Sequence, residues 1–297
     1  MMEKFRPNLR QQLSQNSHAL GAIAVKLGRN HSVNPEELDL LVVILTENRK
    51  FHQQISMYRI NHWKVKEVWI TLSEWSSELV KGERDVVECL MNGRILYDPY
   101  EKIQNQLNDL RTFPTELQQK MMCLEFSRLL QAHVESESYM KEANLLDAHS
   151  SVQKVLTHWA RLAVVESGTY PRAHLWYQVK SINPGVYKLY RELVWGEESI
   201  DQRVHLVMLA VEYTILNRLE YYCSYLMELL ASKEESWSIN EIHEQLWIKE
   251  FHQDVTLIME ELVRRTLVEL VMSGEEMKEQ RYRWISGIRY EKNQKRC

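Results

Sequence analysis

The spacing of hydrophobic and polar positions changes three times along this chain. Near the start, apolar residues come in short runs, and 20–27, 39–45 and 65–72 read as strands. Ser32-Val33-Asn34-Pro35 reads as a turn between the first two. After Leu72, Ser73 is the expected N-cap of a helix, with Ser76 and Ser77 in support. Residues 89–99, CLMNGRILYDP, then read as a helix end, a turn, a short strand and a proline stop.

From about 101 to 232 apolar residues recur every three or four positions, the mark of amphipathic helices in a bundle. Met122, Phe126, Leu129 and His133 form one stripe, and Ala148, Val152, Val155, Trp159 and Leu162 a second. The longest runs through Val204, Val207, Val211, Ile215, Leu219, Tyr222, Leu226 and Leu229. Breaks fall at Phe113-Pro114-Thr115 and Asn183-Pro184-Gly185. From Ser236 the period changes again. Ser238 is placed to cap a short helix through Leu246, and Val255, Ile258, Met259 and Leu262 stripe a second. Residues 267–272 and 281–285 read as strands about a polar loop at 273–276. Helix, helix, hairpin is the outline of a winged helix-turn-helix.

Composition narrows the class. With 44% apolar and 26% charged residues, the 297-residue chain is globular rather than disordered. Scarce glycine (9) and proline (6) fit a mainly helical protein. A net charge of -4 provides no global basic field for nucleic acid, so such contacts have to be local. Residues 278–297 supply one local excess, with seven Lys or Arg against two Glu, although Asp254, Glu260 and Glu261 make the preceding helix acidic. Cys89, Cys123, Cys223 and Cys297 are widely spaced, as free thiols in a reducing compartment would be. The N-terminus lacks the apolar core of a signal peptide, and no apolar run approaches the roughly 18–20 residues of a membrane span. A cytoplasmic location without membrane contact is therefore expected.

The candidate chemistry lies at the second strand. In Glu37-Leu38-Asp39 the carboxylates are at i and i+2, so on a strand they share a face and can together hold Mg²⁺. Upstream stands Leu20-Gly21-Ala22-Ile23-Ala24-Val25. A glycine, a loop and acid-x-acid on a strand resemble the signature of the nucleotidyltransferase fold. In that fold a Gly-Ser pair holds the nucleotide phosphates, while three carboxylates hold two Mg²⁺ ions. The resemblance makes Gly21 and Ala22 the nucleotide-binding positions, and Glu37 and Asp39 the metal and catalytic positions. Ala22 lacks the serine hydroxyl. Glu67, nearest to the place of the third acid, is one residue out of register and faces the other way.

Residues 145–195, with WARLAVVE (159–166), LWYQVK (175–180) and VYKLYREL (186–193), resemble the bacterial nucleotidyltransferase-like protein family. The resemblance spans roughly residues 18–285. It implies an α+β, predominantly helical architecture in three parts: a small mixed-sheet nucleotidyltransferase-like domain (1–100), a helical, substrate-binding-like bundle (101–234), and a winged helix-turn-helix with a basic tail (235–297). Arg161, Lys180, Arg191 and Arg203 read either as phosphate contacts facing the acid pair or as solvated helix faces.

The leading expectation is a pseudoenzyme, a nucleotidyltransferase-like protein with a degenerate site that binds nucleotide or nucleic acid, or regulates. One alternative is an active Mg²⁺-dependent enzyme moving NMP from NTP to a hydroxyl acceptor. Another is a DNA-binding regulator acting through its C-terminal domain. Self-association is open in each.

Overall fold

The computed structural model describes residues 6–27, 37–60, 62–214, 216–246, 255–273 and 279–285. The chain divides into two units. One comprises residues 1–121 and 163–187, the other 122–162 and 188–297.

The first unit is built on a mixed five-stranded sheet. Its strands are β1 (Gly21–Lys26), β2 (Leu40–Thr46), β3 (Ile55–Ile60), β4 (Trp63–Thr71) and β5 (Arg94–Tyr97), in the order β3-β4-β2-β1-β5. Only β2 and β4 run parallel. All seven residues of β2, Leu-Leu-Val-Val-Ile-Leu-Thr, are buried, because both faces of the sheet are covered. On one face Leu13 of helix α1 (Arg6–Gln15) joins Ala22, Ala24, Leu40, Val42, Ile44, Val65 and Trp69 in a core cluster. On the other, Ile23, Leu41, Val43 and Leu45 are buried, and helix α3 (Arg84–Asn92) packs against β1 and β2. At ~1.5–3 kcal/mol per buried aliphatic side chain, this strand is the main anchor of the sheet.

The strands expected at 20–27, 39–45 and 65–72 are present. Two elements of this unit were not anticipated. Helix α1 has a sequence, RPNLRQQLSQ, with too few apolar residues to show a stripe. Strand β3 is an edge whose Ile55 and Met57 are exposed, so no buried face marks it. The expected cap also moves. A 3₁₀ turn over Leu72–Glu74 comes first, and helix α2 (Trp75–Lys81) is preceded by Glu74 with no side-chain cap, so Ser73 does not cap it. The expected turn at 32–35 lies outside the described residues. Helix α4 (Lys102–Arg111) ends at Phe113-Pro114, as the sequence indicates. There the Phe113 ring meets Tyr170 edge-on at 4.5 Å, and the Tyr170 hydroxyl donates to the Leu110 carbonyl. The unit also holds α7 (Leu175–Ile182) and portions of α5 (Thr115–Lys141), α6 (Leu145–Glu166) and α8 (Pro184–Trp195).

The second unit contains the rest of those helices, then α9 (Ile200–Thr214), α10 (Leu219–Tyr222) and α11 (Ser224–Leu230). The long helix expected through 204–229 is thus three pieces. Asn217 Nδ2 donates to the Tyr213 carbonyl, offering the end of α9 a partner other than the next turn of helix. The C-terminal part has the expected helix, helix and hairpin, α12 (Ile239–Gln245), α13 (Val255–Arg264), β7 (Val268–Ser273) and β8 (Glu279–Trp284), and adds a short strand that was not expected, β6 (Trp237–Ser238), in a sheet ordered β6-β8-β7. Ser238 and Glu241 form a reciprocal capping box, and Val255, Ile258, Met259 and Leu262 are the buried stripe of α13. The rest of the loop after Ser273 and the end of the basic tail lie outside the described residues.

Gly21 allows close packing. A Cβ there would lie 2.2 Å from Ile103 Cδ1 and 2.6 Å from the Tyr97 carbonyl oxygen. Gly21→Ala is therefore expected to cost about 1–3 kcal/mol in urea denaturation, by overpacking. Ile103→Val in the same chain should recover only part of that loss, since the Tyr97 backbone cannot be trimmed. An unchanged midpoint in Gly21→Ala would contradict this reading.

Candidate functional site

Strand β2 begins at Leu40, so the acid pair stands just before it. Glu37 is exposed and holds a left-handed backbone (φ 50°), which takes it out of strand geometry. The alternation that would set it beside Asp39 therefore does not apply. Asp39 continues the sheet: its N–H donates to the Lys64 carbonyl (2.9 Å), and its own carbonyl accepts from Leu27 N–H (3.0 Å). Its carboxylate accepts the Lys64 N–H at 2.8 Å. Asp39 thus latches the first residues of the two parallel strands, and the position beside it is Lys64 rather than a third acid.

The other expected site residues lie elsewhere. Strands β1 and β2 form an antiparallel hairpin in which Lys26 pairs with Leu40 and Gly21 with Leu45. Gly21 is five steps from the acid end, ~17 Å at the rise of an extended strand. Ala22 is fully buried in the core cluster with Ile44. By this register Gly21 and Ala22, expected beside Glu37 and Asp39, lie at the opposite end of the hairpin from Asp39. Glu67 is opposite Val42, on the sheet face away from Asp39, as its register indicates. It accepts from Tyr58 Oη (2.9 Å) and Trp69 Nε1 (2.8 Å). Burial, reinforced by the Glu67 charge, raises the Tyr58 pKa, which keeps the phenol a donor.

A second polar cluster, missed in the sequence, lies beyond the last residue of β4. His52 Nε2 is 2.8 Å from Glu74 Oε2 and 3.6 Å from Glu78 Oε1. Lys81 Nζ sits 3.0 Å from the same Glu78 oxygen, and His52 Nδ1 accepts from Thr71 N–H. The cluster is already internally paired.

In the second unit Glu125 is fully buried on the stripe side of α5, where the sequence signals only apolar residues. Arg161 Nε donates to it at 2.6 Å, His158 Nδ1 lies 2.9 Å away, and Arg128 Nη1 3.6 Å. Burial alone would raise its pKa; Arg161, His158 and Arg128 outweigh that, and the net shift is downward. Arg161 is thereby committed. The other cations considered for phosphate are also engaged within their own units. Arg203 Nη1 donates to the Leu193 carbonyl, Lys180 lies over the Tyr187 ring and Arg191 over Trp195.

The winged helix carries thirteen acidic and seven basic residues over 224–284. Arg264 and Arg265 both bind Glu261, Arg281 binds Glu241 and Ser236, and Arg283 lies 3.6 Å from Glu269. These arginines have carboxylate partners, and α13 presents no bare cationic edge to a groove. Among the described residues no helix is long and apolar enough to cross a membrane.

Three family models tile the chain in this order: a nucleotidyltransferase-like domain over 2–118, a YgxA-like substrate binding domain over 119–218, and a helix-turn-helix domain over 224–284. Residues 2–118 thus belong to the nucleotidyltransferase-like family. The chain is 26% identical over 268 residues to the uncharacterized protein YgxA of Bacillus subtilis (strain 168), covering 90% of this chain and 91% of the relative. Its fold matches the crystal structure of a nucleotidyltransferase-like protein from Exiguobacterium sibiricum 255-15. The TM-score is 0.82 and the identity 24%, over 96% of this chain and all of that one.

The Glu125 cluster yields a pH prediction. A carboxylate whose folded pKa is lowered contributes stability that is complete above its ordinary value of 4.5. That contribution is lost as pH falls through the lower folded value. Glu125→Gln should therefore cost stability at pH 7 and flatten the acid limb of the urea-midpoint profile below about pH 4.5. Parallel acid limbs in the two proteins would contradict this.

Proposed function

We propose that this protein is a nucleotidyltransferase-like pseudoenzyme that works by binding, recognising a nucleotide or a nucleic-acid end without metal chemistry at the strand start. One observation carries the reading: Asp39 Oδ2 accepts the Lys64 backbone N–H, and the residue beside Asp39 on the neighbouring strand is Lys64 rather than a carboxylate. Two-metal transfer needs carboxylates converging on the attacking and leaving oxygens. Glu37, exposed and off the strand, and Asp39, latched, do not fit a Mg²⁺ pair. The side chains of Lys64 and Lys66 alternate with the core along β4, and Lys66 meets Asp85 at 3.0 Å.

The helix-turn-helix domain favours a second reading, a duplex-binding regulator. The pairing of Arg264 and Arg265 with Glu261 speaks instead for a protein-contact role of α13. Duplex binding by the whole chain is expected to stay in the nonspecific range, ~10⁻⁴–10⁻⁶ M at physiological salt. Tighter, sequence-selective binding that disappears on deleting 236–297 would install the regulator.

The direct test uses the full chain with labelled NTPs, Mg²⁺ or Mn²⁺, and RNA or small hydroxyl acceptors. The expected outcome is no label transfer above the level of Asp39→Ala. Any NTP-induced rise in Tm should be the same in Mg²⁺ and in chelator, because a ligand bound to the folded state stabilises it with or without the ion. Transfer by the wild-type chain that vanishes in Glu37→Ala and Asp39→Ala would establish an enzyme.

A further inference from the structure

We infer that His133, Glu137 and Glu212 form a binding site for one divalent transition-metal cation of the zinc class. His133 and Glu137 are four residues apart on α5, hence on one face, and Glu212 is on α9. One ring nitrogen and one oxygen from each carboxylate all lie within 4.8 Å of one another.

The imidazole is the decisive group. His133 is 3% exposed, and its Nε2 has no hydrogen-bond partner among the described residues. Nδ1 lies 3.9 Å from Glu137 Oε1, and Nε2 lies 3.9 Å from Glu212 Oε1. Both separations exceed a hydrogen bond, so neither carboxylate satisfies the ring directly. A buried polar atom left in that state is normally completed by water or an ion. Burial lowers the His133 pKa despite the two carboxylates, which keeps a lone pair available at neutral pH.

The carboxylates face outward as an entry route requires. The Glu137 side chain is 40% exposed and that of Glu212 49%. Lys141 approaches the other oxygen of Glu137, at 3.9 Å, and leaves Oε1 towards the ring. Zinc takes His nitrogen and carboxylate oxygen at ~2.0–2.2 Å in a tetrahedral shell, so its ligand atoms stand ~3.3–3.6 Å apart. Small rotations of the two exposed carboxylates close the site, with water completing the shell. A set containing imidazole selects zinc-like ions over Mg²⁺, which prefers oxygen and keeps its waters. The His52 cluster differs in this respect, since His52 already meets Glu74 at 2.8 Å and Lys81 holds Glu78.

The full-length protein, stripped with chelator and desalted, is titrated with Zn²⁺ against a chromophoric competitor. The expected result is one Zn²⁺ per chain, undisturbed by millimolar Mg²⁺. Affinity should fall at least tenfold in Glu137→Gln and in Glu212→Gln, and stay unchanged in His52→Gln. The two Glu→Gln changes are partly exposed and isosteric, so far-UV circular dichroism should match the wild type. Absence of stoichiometric Zn²⁺, or equal affinity in wild type and both Gln variants, would overturn the assignment.

Discussion

The start of the parallel strand pair is closed by a single side chain. Asp39 gives its N–H to the Lys64 carbonyl and takes the Lys64 N–H on its carboxylate, so two backbone groups are satisfied by one residue. A hydrogen bond to an ionised acceptor is roughly twice as strong as a neutral one. The latch fixes β2 against β4 in the register Leu40 to Val65, and that register sets which face every later side chain takes. Glu67 is thereby committed to the α1 face with Tyr58 and Trp69, and Val43 and Leu45 to the opposite one. The same interaction that orders the sheet occupies one oxygen of this carboxylate.

Much of the architecture is legible in the residues. The apolar run after Asp39, the break at Phe113-Pro114, the Ser238–Glu241 capping box and the stripe of α13 each follow from local rules and appear where those rules put them. The site was less legible. Acid-x-acid before an apolar run does not reveal where the strand begins, and the left-handed Glu37 is invisible to an alternation count. Nor can a spacing between two strands tell which end of a hairpin a glycine occupies. Only the pairing of Gly21 with Leu45 shows it at the far end, where its missing side chain serves Ile103 and Tyr97.

Buried charge was the other blind spot. Glu125 lies one residue before Phe126 of an apolar stripe and carries no sequence signal. Its partners Arg161 and His158 are more than thirty residues away and meet it only because α5 and α6 pack within the second unit. A buried carboxylate with a hydrogen-bonded guanidinium is strongly destabilising to break, though not of itself a source of net stability. Such groups tie down helices at a chosen register, and here they tie down the domain whose family model is described as substrate binding.

The central claim is that the Asp39–Lys64 latch holds this carboxylate in structural use. It is tested most directly by titrating the ¹⁵N-labelled, deuterated full chain with Mn²⁺ in the presence of a non-hydrolysable NTP analogue. The account predicts that the amide signals of residues 38–41 and 64–66 keep their intensity, with the Lys64 amide still protected from exchange. Selective paramagnetic loss of those signals, with exposure of the Lys64 amide, would contradict it.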